Sequence, residues 1–134
     1  MGVLVYPVFE RDVKLPPART TGEFLGRYFE TIDEIAERAG LTPLSAYGDT
    51  REVPDGFRGT PEELDELLGP SDAWFDARAG ASNLTALAAL IGSRPDVAAR
   101  LRNPGDVIDE LKDLAQQLSI AATAGSRFRL DLAY

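Results

Sequence analysis

Apolar positions along the chain change period several times, and each change marks an element. At the start, Val3, Leu4, Val5, Tyr6, Val8 and Phe9 form a nearly continuous run of β-favouring residues. The run predicts a strand over residues 3–9, and its lack of strict alternation predicts burial on both faces. Pro7 has no N–H to offer a neighbour, so an edge position or a bulge is expected there. Pro16 and Pro17 then break the chain, and residues 14–21 read as a loop.

Beyond them the period becomes helical. Phe24, Leu25, Tyr28, Ile32, Ile35, Ala36 and Ala39 fall on one stripe of a helix over residues 21–39. Thr20 and Glu23 have the spacing of a capping box, and Gly40 is placed to end the helix in a left-handed conformation with Leu41 folding back. Pro43, Gly48, Pro54 and Gly56 then keep residues 41–57 in loops, with 45–47 the only stretch that reads as a short strand.

Thr60, Pro61 and Glu63 form a second capping-box pattern. They open a short helix with Leu64, Leu67 and Leu68 on its inner face and Gly69-Pro70 at its end. Residues 71–80, which include Trp74 and Phe75, read as a loop or one helical turn. A third helix is expected after a Ser82 cap, through Leu84, Leu87, Ala88 and Ile91 to Gly92, with a short helix near 96–101. Asn103 and Pro104 open the last long helix. Val107, Ile108, Leu111, Leu114, Ala115, Leu118, Ala121 and Ala122 line one side of it, and Gly125 stops it. In residues 127–132, Phe128, Leu130 and Leu132 alternate with Arg127, Arg129 and Asp131, as in a half-buried strand.

Strands at both termini and helices between them predict an α+β fold. Neither strand is stable alone, so the two are expected to pair, with antiparallel the commoner direction, and to pack against the two long amphipathic helices. A strand at 45–47 would enlarge this small sheet; a mostly helical bundle with one terminal strand pair is the alternative. The length of 134 residues fits a single domain over residues 1–134, and 44% apolar residues suffice for a core.

Charge changes the picture in one region. The net charge is −8, which does not suit a nucleic-acid surface. Residues 49–76 hold nine acids, Asp49, Glu52, Asp55, Glu62, Glu63, Asp65, Glu66, Asp72 and Asp76, against Arg51 and Arg58, a local charge of −7. This segment is either a solvated face or a patch that steers a basic protein partner. Cysteine and histidine are both absent, so disulfides, thiolate chemistry and imidazole ligands have no source. No cofactor or metal is expected. With no long apolar run and no secretion signal in the sequence, a soluble, cytoplasmic protein without a membrane partner is expected.

Candidate binding residues cluster around the acidic stretch. Trp74, between Asp72 and Asp76, reads as a core plug or as a binding anchor with a polar rim. Arg78 would pair with one of those acids or hold an anionic ligand group. Tyr47, Asp49 and Arg51 form a polar-aromatic group in the preceding loop, and Glu62, Glu63 and Glu66 project from the short helix. Asp72 and Asp76 would share a face only if that segment is helical, so a carboxylate-based hydrolase or metal-binding protein ranks below a binding role. A homodimer built through a strand edge or through Trp74 is the other non-catalytic reading. In size and charge the chain resembles the immunity proteins and antitoxins that neutralise basic toxins. The resemblance rests on no shared motif and carries over no residue; it implies recognition by opposite charge.

Overall fold

The computed structural model describes residues 3–48, 58–68 and 74–133. Strand β1 (Leu4–Phe9) is followed by helices α1 (Glu23–Arg27) and α2 (Phe29–Arg38), then by a 3-10 turn at Leu44–Tyr47. Helices α3 (Pro61–Leu68), α4 (Ala77–Ser93), α5 (Pro95–Ala98) and α6 (Pro104–Thr123) lead to strand β2 (Phe128–Ala133). The fold is α+β. The terminal strands pair antiparallel, with Leu4 opposite Ala133 and Phe9 opposite Phe128. The most extensive contact between helices is that of α4 with α6.

The ladder explains Pro7. The Glu10 N–H donates to the Arg127 carbonyl at 3.0 Å, which sets the alternation of the ladder. Val5, Pro7 and Phe9 therefore direct their backbone nitrogens away from β2, and Pro7 withholds no ladder bond. The outward N–H of Val5 is taken instead by the Gly22 carbonyl at 3.1 Å. On the far side of β2, Phe75 and Phe128 exchange backbone hydrogen bonds of 2.8 and 3.0 Å, so Phe75 forms an isolated bridge along that edge. Alternation also sorts the side chains. Val5, Phe128 and Leu130 are buried, while Leu4 and Tyr6 are exposed on the opposite face. Burial of β1 on both faces, expected from its continuous apolar run, is not what forms.

The helix expected over residues 21–39 is two helices. Tyr28 leaves helical geometry at φ −107°, ψ 22°, and its hydroxyl donates to Asn103 Oδ1 at 2.8 Å. Asn103 accordingly makes no side-chain cap for its own helix. The Thr20–Glu23 capping box does not form either, because Thr20 is engaged by α6: its N–H and hydroxyl both donate to Asp113 Oδ2, at 3.2 and 2.8 Å. The first turn of α1 is capped from outside by Glu110. Its carboxylate accepts the N–H groups of Gly22 at 3.2 Å and Leu25 at 2.9 Å.

Helix ends follow the glycines. At Gly40 (φ +74°) the Leu41 N–H returns to the Ala36 carbonyl at 2.8 Å, and at Gly125 (φ +76°) the Ser126 N–H returns to Ala121 at 2.9 Å. The start of α4 departs from expectation by several residues. Asp76, not Ser82, is its cap, with Oδ2 accepting the Ala79 N–H at 2.7 Å. The helix thus contains Gly80, a residue that costs about 1 kcal/mol in a helix interior. A Cβ there would stand 2.6 Å from two ring carbons of Phe128, so the glycine lets α4 lie against β2. The 45–47 stretch is part of the 3-10 turn rather than a strand. Ala81, Leu84, Leu87, Ala88 and Ile91 of α4 and Val107, Leu111, Leu114, Leu118 and Ala121 of α6 belong to one buried cluster that also takes in Val5, Leu25 and Phe128.

Candidate functional site

The ten candidate binding residues divide by position. Asp49, Arg51 and Asp72 lie outside the described residues, as do Glu52 and Asp55 of the acidic stretch. Tyr47 belongs to the core. Its ring meets Phe75 edge-on at 5.6 Å and Phe128 at 5.1 Å. Burial raises the pKa of its hydroxyl, against the opposing hydrogen bonds of Thr42 and Asn83. Asn83 on α4 also exchanges hydrogen bonds of 2.9 Å with both backbone groups of Thr42, which fixes the segment that delivers Tyr47.

Trp74 is half-buried. The Arg129 guanidinium carbon lies 4.8 Å from its ring centroid, within cation–π range. Arg129 also pairs with Asp131 at 3.3 Å. The indole therefore covers one end of the outer sheet face and stays tied to it through the neighbouring Phe75 bridge. Asp76 has a structural task as the α4 cap. Arg78 is exposed on the first turn of α4, and among the described residues it forms no ion pair with Asp76.

Glu62, Glu63 and Glu66 are exposed on α3. Thr60 caps that helix, accepting the Glu63 N–H at 3.2 Å and donating its hydroxyl to the Glu63 side chain at 3.4 Å. Glu62 and Glu63 sit in the first turn, where carboxylates oppose the positive end of the helix dipole. Leu67, expected inside, is 58% exposed and follows Glu63 by one helical turn; the side chains of Leu64 and Leu68 lie outside the described residues. The pKa of Tyr6 is raised by burial first, then by Asp131, and by Glu62 in addition, with Arg129 opposing.

Sequence reasoning missed Glu110 and Asp113. They line a cleft of about 180 Å³ beside β1 with Thr20, Thr21, Gly22 and Gln117. The signal was present: Glu110 falls three residues after Val107 and four before Leu114, inside an otherwise apolar stripe. It is 3% exposed, and burial raises its carboxyl pKa, while backbone N–H groups oppose the shift and Glu23 adds to it. Both oxygens of Glu110 accept backbone N–H groups, so the geometry describes a cap borrowed from another helix, not an acid–base pair aimed at a substrate. A second depression of about 370 Å³ lies at the α1–α2 break, with Val3, Arg27, Tyr28 and Glu30 among its walls. Among the described residues no group of three or more acidic, Cys or His side chains is arranged to hold a metal ion, and no helix is long and apolar enough to cross a membrane.

No family model matches the chain, and neither a curated protein nor a solved structure is significantly similar to it.

Proposed function

We propose that this chain is a cytoplasmic binding or regulatory domain that recognises a basic protein partner through residues 49–76. One observation carries the reading: Glu62, Glu63 and Glu66 are exposed on a single short helix within the stretch that holds nearly all of the net charge. Such a field accelerates encounter with a cationic surface and suppresses acidic competitors. Each exposed ion pair contributes only about 0.2–1 kcal/mol, so the effect comes from several acting together.

The test starts with partners captured from native extract, identified and purified. Reversing the three charges in Glu62→Lys/Glu63→Lys/Glu66→Lys replaces attraction with repulsion at each site. The expected loss is about 10- to 100-fold in affinity at low salt, shrinking as ionic strength rises and the Debye length falls below ~10 Å. A partner that binds equally well after the reversal would refute the proposal.

A further inference from the structure

We infer that helix α1 guards the free edge of the ribbon: it is a strap, seated through Gly22 and Gly26, that closes β1 against pairing with the β1 strand of a second copy of this chain.

The sequence carries the hazard that such a strap answers. Residues 3–9 have no charge and are rich in β-favouring apolar side chains, and charge returns only at Glu10, Arg11 and Asp12. A run of that kind on an open edge is a template for another strand, and a second copy of the chain brings the same uncharged run to it. The ladder fixes which backbone groups are at risk. Even-numbered residues of β1 bond β2, so Val3, Val5 and Pro7 turn their backbone groups to the other margin. Pro7 has no N–H to give. The N–H and C=O groups of Val3 and Val5 remain, and two antiparallel copies exchange all of them when Val3 of one lies opposite Val5 of the other.

Helix α1 occupies this margin. The Val5 N–H donates to the Gly22 carbonyl at 3.1 Å. A Cβ on Gly22 would stand 2.0 Å from the Val5 carbonyl oxygen, and one on Gly26 would stand 1.8 Å from that of Val3. Two residues without side chains, four apart, thus let the backbone of the strap lie on the edge at both exposed positions. From behind, Glu110 of α6 holds the strap by accepting the Gly22 and Leu25 N–H groups, and Leu25 is buried. The β1–β2 ladder uses the opposite margin of β1, so lifting α1 breaks none of its bonds.

Sedimentation equilibrium over a concentration series tests the strap, at high ionic strength so that repulsion between chains of net charge −8 is screened. The chains compared are the unmodified protein, Gly26→Ala, Gly26→Ala/Val3→Pro and Gly40→Ala, with circular dichroism to verify the fold of each. Relative to the unmodified chain, Gly26→Ala should raise the self-association constant about tenfold or more. Val3→Pro removes an outward N–H and no ladder bond, and should suppress that gain. Gly40→Ala, which strains a turn away from the edge, should leave association unchanged. A folded Gly26→Ala that associates no more than the unmodified chain overturns the inference. So does a gain that survives Val3→Pro, or one that Gly40→Ala reproduces. Hydrogen exchange in the unmodified protein supplies a readout that needs no variant to fold: the Val5 N–H, held by the strap, should exchange by local opening ahead of the Val8 N–H in the ladder. Exchange of the two amides only together would show that α1 does not open apart from the ribbon, and the strap would be refuted.

Discussion

Gly22 joins three elements, and replacing it tests how they are held. Its φ of +81° is a conformation that costs an L-residue about 1–2 kcal/mol. A Cβ added there would also stand 2.0 Å from the Val5 carbonyl oxygen, where contacts below 3.0 Å are essentially never found. The gap has to open by moving β1 away from the start of α1. That movement strains the Val5–Gly22 hydrogen bond and the Gly22–Glu110 hydrogen bond, 3.1 and 3.2 Å long. With ~0.5–1.5 kcal/mol for the neutral bond and ~1.5–3 for the charged one, partial loss of both adds about 2–3 kcal/mol to the conformational cost. Gly22→Ala should therefore lose ~3–5 kcal/mol. Gly40 provides the control. Its φ is +74°, but nothing lies within 4 Å of the added Cβ, so Gly40→Ala pays the conformational part alone, about 1–2 kcal/mol. Urea denaturation followed by circular dichroism measures both. At about 3–6 °C per kcal/mol for a chain of this length, the melting points in a thermal scan should fall by about 9–30 °C and about 3–12 °C respectively. Equal losses in the two variants would show that the close approach of Gly22 to β1 carries no energy, and the reasoning would fail.

Asp76 separates a structural carboxylate from a functional one: Asp76→Ala should cost about 1 kcal/mol by removing the α4 cap, whereas Asp76→Asn, which caps as well, should leave stability within ~0.5 kcal/mol. A chemical denaturation series checks this, and a stability loss as large in Asn as in Ala would contradict the cap assignment. Glu110 supplies a pH signature. Because burial holds its folded pKa above the ordinary 4.5, the folded state binds the proton more tightly than the unfolded chain. Its contribution is then fully present below that ordinary value and is lost as pH rises through the raised folded value. Glu110→Gln cannot titrate, so the stability difference between variant and parent should shift in favour of the variant across that window; parallel pH profiles would count against it.

The parts of the fold legible in the sequence were those written as a periodic pattern. The terminal strands, the α2 and α6 stripes, the glycine stops at Gly40 and Gly125 and the Thr60 cap all appear where spacing placed them, because each is decided by residues within a turn or two. The misplacements have a common cause in distant partners. Thr20 has the spacing of a cap but bonds Asp113, 93 residues away. Tyr28 lies on the apolar stripe of a continuous helix, yet its hydroxyl reaches Asn103, and the helix breaks there. Gly80 falls in the stretch that reads as a loop or one helical turn before a Ser82 cap, but it lies inside α4, where the ring of Phe128 packs against it. At the candidate site, the exposure of Glu62, Glu63 and Glu66 follows from their charge. The half-burial of Trp74 under Arg129 and the core position of Tyr47 depend on β2 and could not be read from local sequence.

A two-stranded ribbon is marginal in water by itself, and this one is held from its inner face and along both margins. Gly22 takes the outward N–H of Val5 on one side, and Phe75 bonds Phe128 on the other. Val5, Phe128 and Leu130 face the helices. None of these ties uses Leu4 or Tyr6. Substitution of either by a polar residue should therefore leave the inner-face core contacts of Val5, Phe128 and Leu130 intact. Serine at Leu4 or Tyr6 should then cost less stability than serine at the buried Val5 or Leu130, and chemical denaturation of the four variants checks this; equal losses would show that the two faces of the ribbon carry the fold alike.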